Sequence, residues 1–168
     1  MFTSVIGPAS AVRRPALVAL AVLTLIVALL GSSSPAHAQA LGLPASVTFQ
    51  SLATGHALDS NFEGSVYGSA PNTGFYQKWR VQASDNDTVT LRNSRTALCL
   101  DSNTEGHVYT LSCNNGSFQK WSVYETEFGT KALQNLATGL FLDGNADGAI
   151  YTHSFNNGSY QKWMPSAG

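Results

Sequence analysis

The sequence predicts an all-β fold closed about a pseudo-threefold axis, and three observations carry that expectation. The phrase Gln-Lys-Trp occurs three times, ending at Trp79, Trp121 and Trp163, which are the chain's three tryptophans and stand 42 residues apart. Shifting the sequence by 42 aligns residues 50–79, 92–121 and 134–163 without a gap, and eleven of the thirty columns are identical. Apolar residues alternate only in short runs, with Gly and Asn punctuating them and no sustained helical period.

Each unit reads as four strands. In the first, "SVTFQSLAT" alternates and ends at Thr54-Gly55, and "HALDS" closes at Asn61 and Glu63-Gly64. "SVYGS" runs to Pro71, Asn72 and Gly74, and "YQKWRVQ" ends in "SDNDT". Self-similarity at a fixed period decides architecture before any single element does. Three units of 42 residues are too few for a propeller and wrong in period for a solenoid. Closing them on one another removes exposed sheet edges. The expectation is a β-trefoil of three ungapped 42-residue repeats, at about residues 46–87, 88–129 and 130–168.

Ahead of the repeats, Arg13 and Arg14 precede the apolar run "PALVALAVLTLIVALL" and the small, polar "GSSSPAHAQA". A basic start, an apolar middle and an Ala36-His37-Ala38 site read as a cleaved secretory signal over 1–38. Cleavage after Ala40 is the other candidate, and a membrane anchor is the competing reading. The apolar run falls short of the ~20 residues needed to cross a bilayer. The expected mature chain, 39–168, is a single domain, secreted and free of the membrane.

Without Arg13 and Arg14, seven of the nine basic residues remain against ten acidic ones. No basic stripe marks a nucleic-acid partner. Cys99 and Cys113 are the only cysteines, so in an exported chain they pair with each other. Two thiols without a His pair at ligand spacing make no zinc site, and neither metal nor cofactor is expected.

Gln-x-Trp closing three units, each with Leu-Asp near its middle, resembles the ricin B-type β-trefoil lectins. "LDSN", then Gly, "VYT", Asn, Gly and "YQKW" are similar to the actinohivin-like, high-mannose-binding group. The resemblance implies one sugar pocket per repeat, built from an Asp, a Tyr, an Asn and an aromatic. These are Asp59, Tyr67, Asn72 and Tyr76 in the first repeat, and Asp101, Tyr109, Asn114 and Phe118 in the second. In the third they are Asp143, Tyr151, Asn156 and Tyr160. A carboxylate accepts from two adjacent hydroxyls, an Asn amide both donates and accepts, and an aromatic ring covers the C–H face of a pyranose. The pattern also departs from the group. Phe118 lacks a phenol hydroxyl, and where the group has a leucine wall only Leu111 keeps it, Ser69 and His153 standing at the matching places.

Blander readings stand beside these. Each Asp would serve as a turn residue, and each Tyr as core. Trp79, Trp121 and Trp163 read as core, and Gln77, Gln119 and Gln161 as structural residues bonding backbone near the pocket. Lys78, Lys120 and Lys162 are expected in solvent, as are Glu63, Glu105 and Asp147 in turns.

Glycosidic hydrolysis takes two carboxylates in different environments, whereas here one similar Asp recurs three times. The expectation is a binder and not an enzyme: a monomeric, trivalent lectin whose partners are high-mannose glycans or glycoproteins. The alternatives are a trefoil that binds a protein partner in the manner of an inhibitor, or a lectin for another hexose such as galactose.

Overall fold

Alternating short runs between Gly and Asn turns fold as twelve strands among the described residues, which are 42–168 with Met1 and Thr3 of this computed structural model. The expected signal segment lies outside them apart from those two residues. In chain order the strands are β1 (Ser46–Ser51), β2 (Ala57–Ser60), β3 (Val66–Ser69), β4 (Trp79–Ala83), β5 (Val89–Asn93) and β6 (Cys99–Ser102). The second half holds β7 (Val108–Leu111), β8 (Trp121–Glu125), β9 (Lys131–Asn135), β10 (Phe141–Gly144), β11 (Ile150–His153) and β12 (Trp163–Ala167).

Six of them, β1, β4, β5, β8, β9 and β12, pair antiparallel in a closed ring. The other six form three hairpins, β2–β3, β6–β7 and β10–β11. A six-stranded barrel with three such hairpins is a β-trefoil, and the closed ring leaves no barrel edge open to another chain.

The core follows from the period-two pattern. Val47, Phe49, Val89, Leu91 and Leu133 alternate inward from the barrel strands and are fully buried. Trp79, Trp121 and Trp163 are at most 1% exposed. Their indole N–H groups donate to the carbonyls of Leu58, Leu100 and Leu142 at 3.0–3.1 Å. A buried indole needs such a partner, and here the bond locks each hairpin strand one residue before its Asp.

The hairpins meet about the axis through main-chain bonds of 2.8 Å, from Gly68 to Gly148, Thr110 to Gly64 and Thr152 to Gly106. Gly64, Gly106 and Gly148 have φ of +83 to +87°, and a Cβ on any of them would lie 2.7 Å from the facing carbonyl oxygen. Only glycine allows that approach.

Two expectations change. The run "YQKWRVQ" is not one strand: Phe75–Gln77 makes a single 3-10 turn, as do Ser117–Gln119 and Ser159–Gln161, and the strand begins at the Trp. Lys120 and Lys162 are buried, not solvated, because Asp85 and Glu127 on the loops ahead draw their ammonium groups in at 2.6 and 2.5 Å. In β9, Lys131 replaces the barrel valines Val47 and Val89 and is 4% exposed, its ammonium paired with Glu125.

Candidate functional site

Asp59, Asp101 and Asp143 sit on β2, β6 and β10, each buried, with 5, 3 and 3% of its surface exposed. Their spacing to the Tyr is a cross-strand pairing: Asp59 faces Tyr67, Asp101 faces Tyr109 and Asp143 faces Tyr151 in the hairpin registers. The tyrosines are half-buried rather than core. Burial pushes their phenols above the usual value, and the facing carboxylates add to it. They therefore stay protonated donors near neutral pH.

A buried Gln ties each Asp hairpin to the turn that follows. In the first repeat Gln77 Nε2 donates to Asp59 Oδ2 at 2.9 Å and to the Ala70 carbonyl at 3.0 Å, while its Oε1 accepts from the Asn72 amide at 2.8 Å. Gln119 repeats this with Asp101 at 2.9 Å, Ser112 at 3.1 Å and Asn114 at 2.9 Å. Asn72, Asn114 and Asn156 each accept at Oδ1 from a glycine amide two residues on, at 2.7 Å. A Cβ on those glycines, Gly74, Gly116 and Gly158, would lie 2.7–2.9 Å from that oxygen. With Oδ1 so bonded, the side-chain nitrogen of each exposed Asn makes no hydrogen bond within the described residues and is left to donate elsewhere.

Burial raises Asp59 and Asp101 above the ordinary aspartate value, and the Gln bonds only partly offset it. The Ser60 amide and the Tyr67 hydroxyl also favour the charged form of Asp59, yet neither reaches hydrogen-bond geometry, so Oδ1 is enclosed without a partner. An acceptor left in that condition costs about 1–3 kcal/mol.

The third repeat is built differently. Gln161 keeps its bonds to Asn156 and Ser154 at 3.0 and 2.9 Å but makes none to Asp143. Asp143 Oδ1 instead accepts from the Gly144 amide at 2.8 Å, and the Tyr151 hydroxyl donates to the Gly144 carbonyl at 2.9 Å. Gly144 stands where the other repeats have Ser60 and Ser102, and faces Ile150 where they have Val66 and Val108. The larger Ile150 fills the space the serine Cβ would take, for its Cδ1 lies 3.2 Å from that position.

Among the aromatics, Tyr76 is half-buried, edge-on to Phe62 at 5.9 Å, with the Arg95 guanidinium 5.9 Å from its centroid. Phe118 and Tyr160 are 40 and 39% exposed. Tyr76 and Tyr160 lie close enough to Tyr67 and Tyr151 to raise their phenols further. The carbonyls of Tyr76 and Phe118 accept from Asn93 and Asn135 Nδ2 at 2.7 Å. The third repeat has Ser51 at that place on β1, with its hydroxyl unpartnered. Leu111 is exposed at the end of β7, ahead of the Asn114 turn.

Cys99 and Cys113 form the expected disulfide, their Cα atoms 5.1 Å apart. Sequence reasoning placed Gln77 and Gln119 against backbone and missed their carboxylate bonds; the signal was a Gln at constant distance from each Asp. Phe62 and Arg95 were missed because neither recurs in the other repeats. Among the described residues no group of His, Cys, Asp and Glu is arranged to hold a metal. A small cavity of about 10 Å³ beside Ser51, His56 and Trp163 has room for one water and not a sugar.

With this geometry in hand, the chain can be set beside known proteins. Residues 75–154 match the ricin-type beta-trefoil lectin domain-like family. That match supports carbohydrate binding in general and favours a binding protein over a catalyst. A designed threefold-symmetric protein, ThreeFoil, superposes with a TM-score of 0.68 at 26% identity, covering 73% of this chain and 98% of its own. A mosquitocidal holotoxin matches at a TM-score of 0.66 and 18% identity, over 73% of this chain but 17% of the toxin, and shows the fold alone. No curated protein sequence matches this chain.

Proposed function

We propose that the protein is a secreted, monomeric lectin with three shallow pockets for mannose-rich glycans, α1,2-linked mannose termini above all. One observation carries this reading: in two repeats a buried Gln bonds both the Asp carboxylate and the backbone N–H of the Asn, which sets that Asn, with its side-chain amide as donor, in fixed relation to the carboxylate, and the same residues recur in the third. An acceptor and a donor so placed suit adjacent hydroxyls of one hexose, and the neighbouring phenyl or phenol ring suits its C–H face.

Three weak pockets on one rigid body raise avidity for branched glycans without new contacts. Phe118 offers no hydroxyl, so the second pocket is the weakest, by about 1 kcal/mol or roughly fivefold in Kd. The leader pattern of residues 1–38 and the Cys99–Cys113 disulfide support export.

Calorimetric titration of the mature chain with α1,2-mannobiose tests this. A stoichiometry near three supports three working pockets. A value near two that Phe118→Tyr raises identifies the weak one. Absence of heat and of binding removes the mannose assignment, and a glycan array then separates another hexose such as galactose from a protein partner.

A further inference from the structure

The Lys of Gln-Lys-Trp occurs three times, but its surroundings differ once. Lys120 and Lys162 are neutralised by Asp85 and Glu127. Lys78 has no carboxylate partner among the described residues; its ammonium lies over the Phe75 ring, 5.1 Å from the centroid. Two more cations stand beside it. Arg80 occupies the place of Ser122 and Met164, and Arg95 that of Ala137, so neither is a by-product of the repeat. Lys78, Arg80 and Arg95 line an open cleft of about 450 Å³ with Phe75, Ser94 and Ser46, and Gly168 closes one rim. No acidic side chain lines it, and the one anionic group at its lining is the α-carboxylate of Gly168, the last residue of the sequence.

The cleft is held in place by backbone. The Ser94 amide donates to the Lys78 carbonyl at 2.8 Å, fixing the Arg95 loop against β4. Ser46 pairs with Arg80 in the β1–β4 register, and Gly168 donates its amide to the Ser46 carbonyl at 3.0 Å. Arg95 also joins the cleft to the first pocket, its guanidinium 5.9 Å from the Tyr76 ring and 5.6 Å from Phe62.

We infer that this cleft binds the phosphate or sulfate ester of an acidic saccharide whose sugar ring sits in the first pocket, so that one repeat of three reads charge. The inference rests on the lectin reading for the ring and on the cleft alone for the oxyanion. Two guanidinium groups and an ammonium offer charge-assisted donors to the ester oxygens. In the second and third repeats Asp85 and Glu127 already occupy the corresponding lysines.

The test follows backbone amide shifts during titration with inorganic phosphate, α-methyl mannoside and mannose 6-phosphate. The chain is used as wild type and as the double variant Lys78→Gln/Arg80→Gln. We expect phosphate to shift the amides of Lys78, Arg80, Ser94 and Arg95, with an affinity that falls as salt rises. Mannose 6-phosphate should bind about tenfold more tightly than the neutral mannoside, as one added charge-assisted contact would give. The double variant should lose that advantage while keeping its α1,2-mannobiose stoichiometry, which also reports that it folds. Equal affinity for the charged and neutral sugars overturns the inference and leaves the lectin reading intact. So do phosphate shifts that are absent, that lie outside the cleft, or that survive in the double variant. Phosphate binding at the cleft without neutral-sugar binding would sink the mannose assignment and uphold the anion site.

Discussion

The second and third repeats close the same loop by different means. Cys99 and Cys113 tie β6 covalently to the segment ahead of the Asn114 turn. The residues 42 further on, Phe141 and Phe155, pack as tilted rings with centroids 4.8 Å apart, and Tyr124 adds a ring 5.9 Å from Phe141. The first repeat has Ala57 and Pro71 there, with neither device. The position pair is thus a place where hairpin and turn can be held together, by chemistry of quite different strength, and the first repeat closes without it.

The largest expected effect breaks this comparison at its covalent side. Reducing the disulfide, or the variant Cys99→Ala/Cys113→Ala, should lower the unfolding free energy by about 3 kcal/mol, the value for a loop of roughly 15 residues. Phe155→Ala should cost about 1 kcal/mol of aromatic pairing, since that ring is half in solvent. Urea denaturation with and without reductant measures both. A disulfide worth less than the aromatic pair would show that the two do not share a role.

The pockets differ in the same two repeats. Gln119 holds Asp101, whereas Gln161 leaves Asp143 alone while keeping its backbone bonds. Gln119→Leu should therefore destabilise the fold more than Gln161→Leu. The gap should be about 1.5–3 kcal/mol, the range for a hydrogen bond to a charged group. Equal losses in paired urea titrations would mean that the Asp101 bond adds nothing net.

A smaller effect sharpens the cause of that difference. Gly144→Ser puts a Cβ 3.2 Å from Ile150 Cδ1. Overpacking of this kind costs about 1 kcal/mol at its mild end. Ile150→Val on the same chain should recover most of it, because that pair restores the Ser102–Val108 combination of the second repeat. Additive losses in the double-mutant cycle would mean that the Gly–Ile pair is not a compensated exchange.

How far these features could be read beforehand depends on whether they repeat. Trp79, Asp59, Asn72 and Gly74 recur at one period, so barrel and hairpins were legible from spacing, while the pocket residues rested on the resemblance to the lectins. The burial of Lys120 and Lys162 was not, because alternation places the residue between Gln and Trp outward and says nothing of an acid on the preceding loop. Asp85 and Glu127 do stand 42 apart, which was the available clue. The loss of the Gln161–Asp143 bond was hidden in two substitutions that look conservative singly, Ser to Gly and Val to Ile. Their meaning lies in facing each other across a hairpin, which composition does not disclose.

The smallest effect contrasts two carboxylates of the second repeat and its neighbouring loop through pH. Burial raises Asp101 above the ordinary value of 3.8, while the Lys120 ammonium lowers exposed Asp85 below it. The two therefore act with opposite sign. The folded state binds the Asp101 proton more tightly than the unfolded chain does, so its contribution to stability is full below 3.8 and is lost as pH rises through the raised value. Asp85 contributes above 3.8, and its share disappears as pH falls through the lowered value. Unfolding free energies from about pH 3 to about pH 7 should show wild type minus Asp101→Asn falling with pH and wild type minus Asp85→Asn rising. Sugar binding should follow the Asp101 titration in the reverse sense, because a protonated carboxyl accepts fewer bonds from ligand hydroxyls. Affinity at the first two pockets should then begin to fall on acidification while an ordinary aspartate would still be ionised. A binding profile flat down to 3.8 would exclude ionised Asp59 and Asp101 as the acceptors.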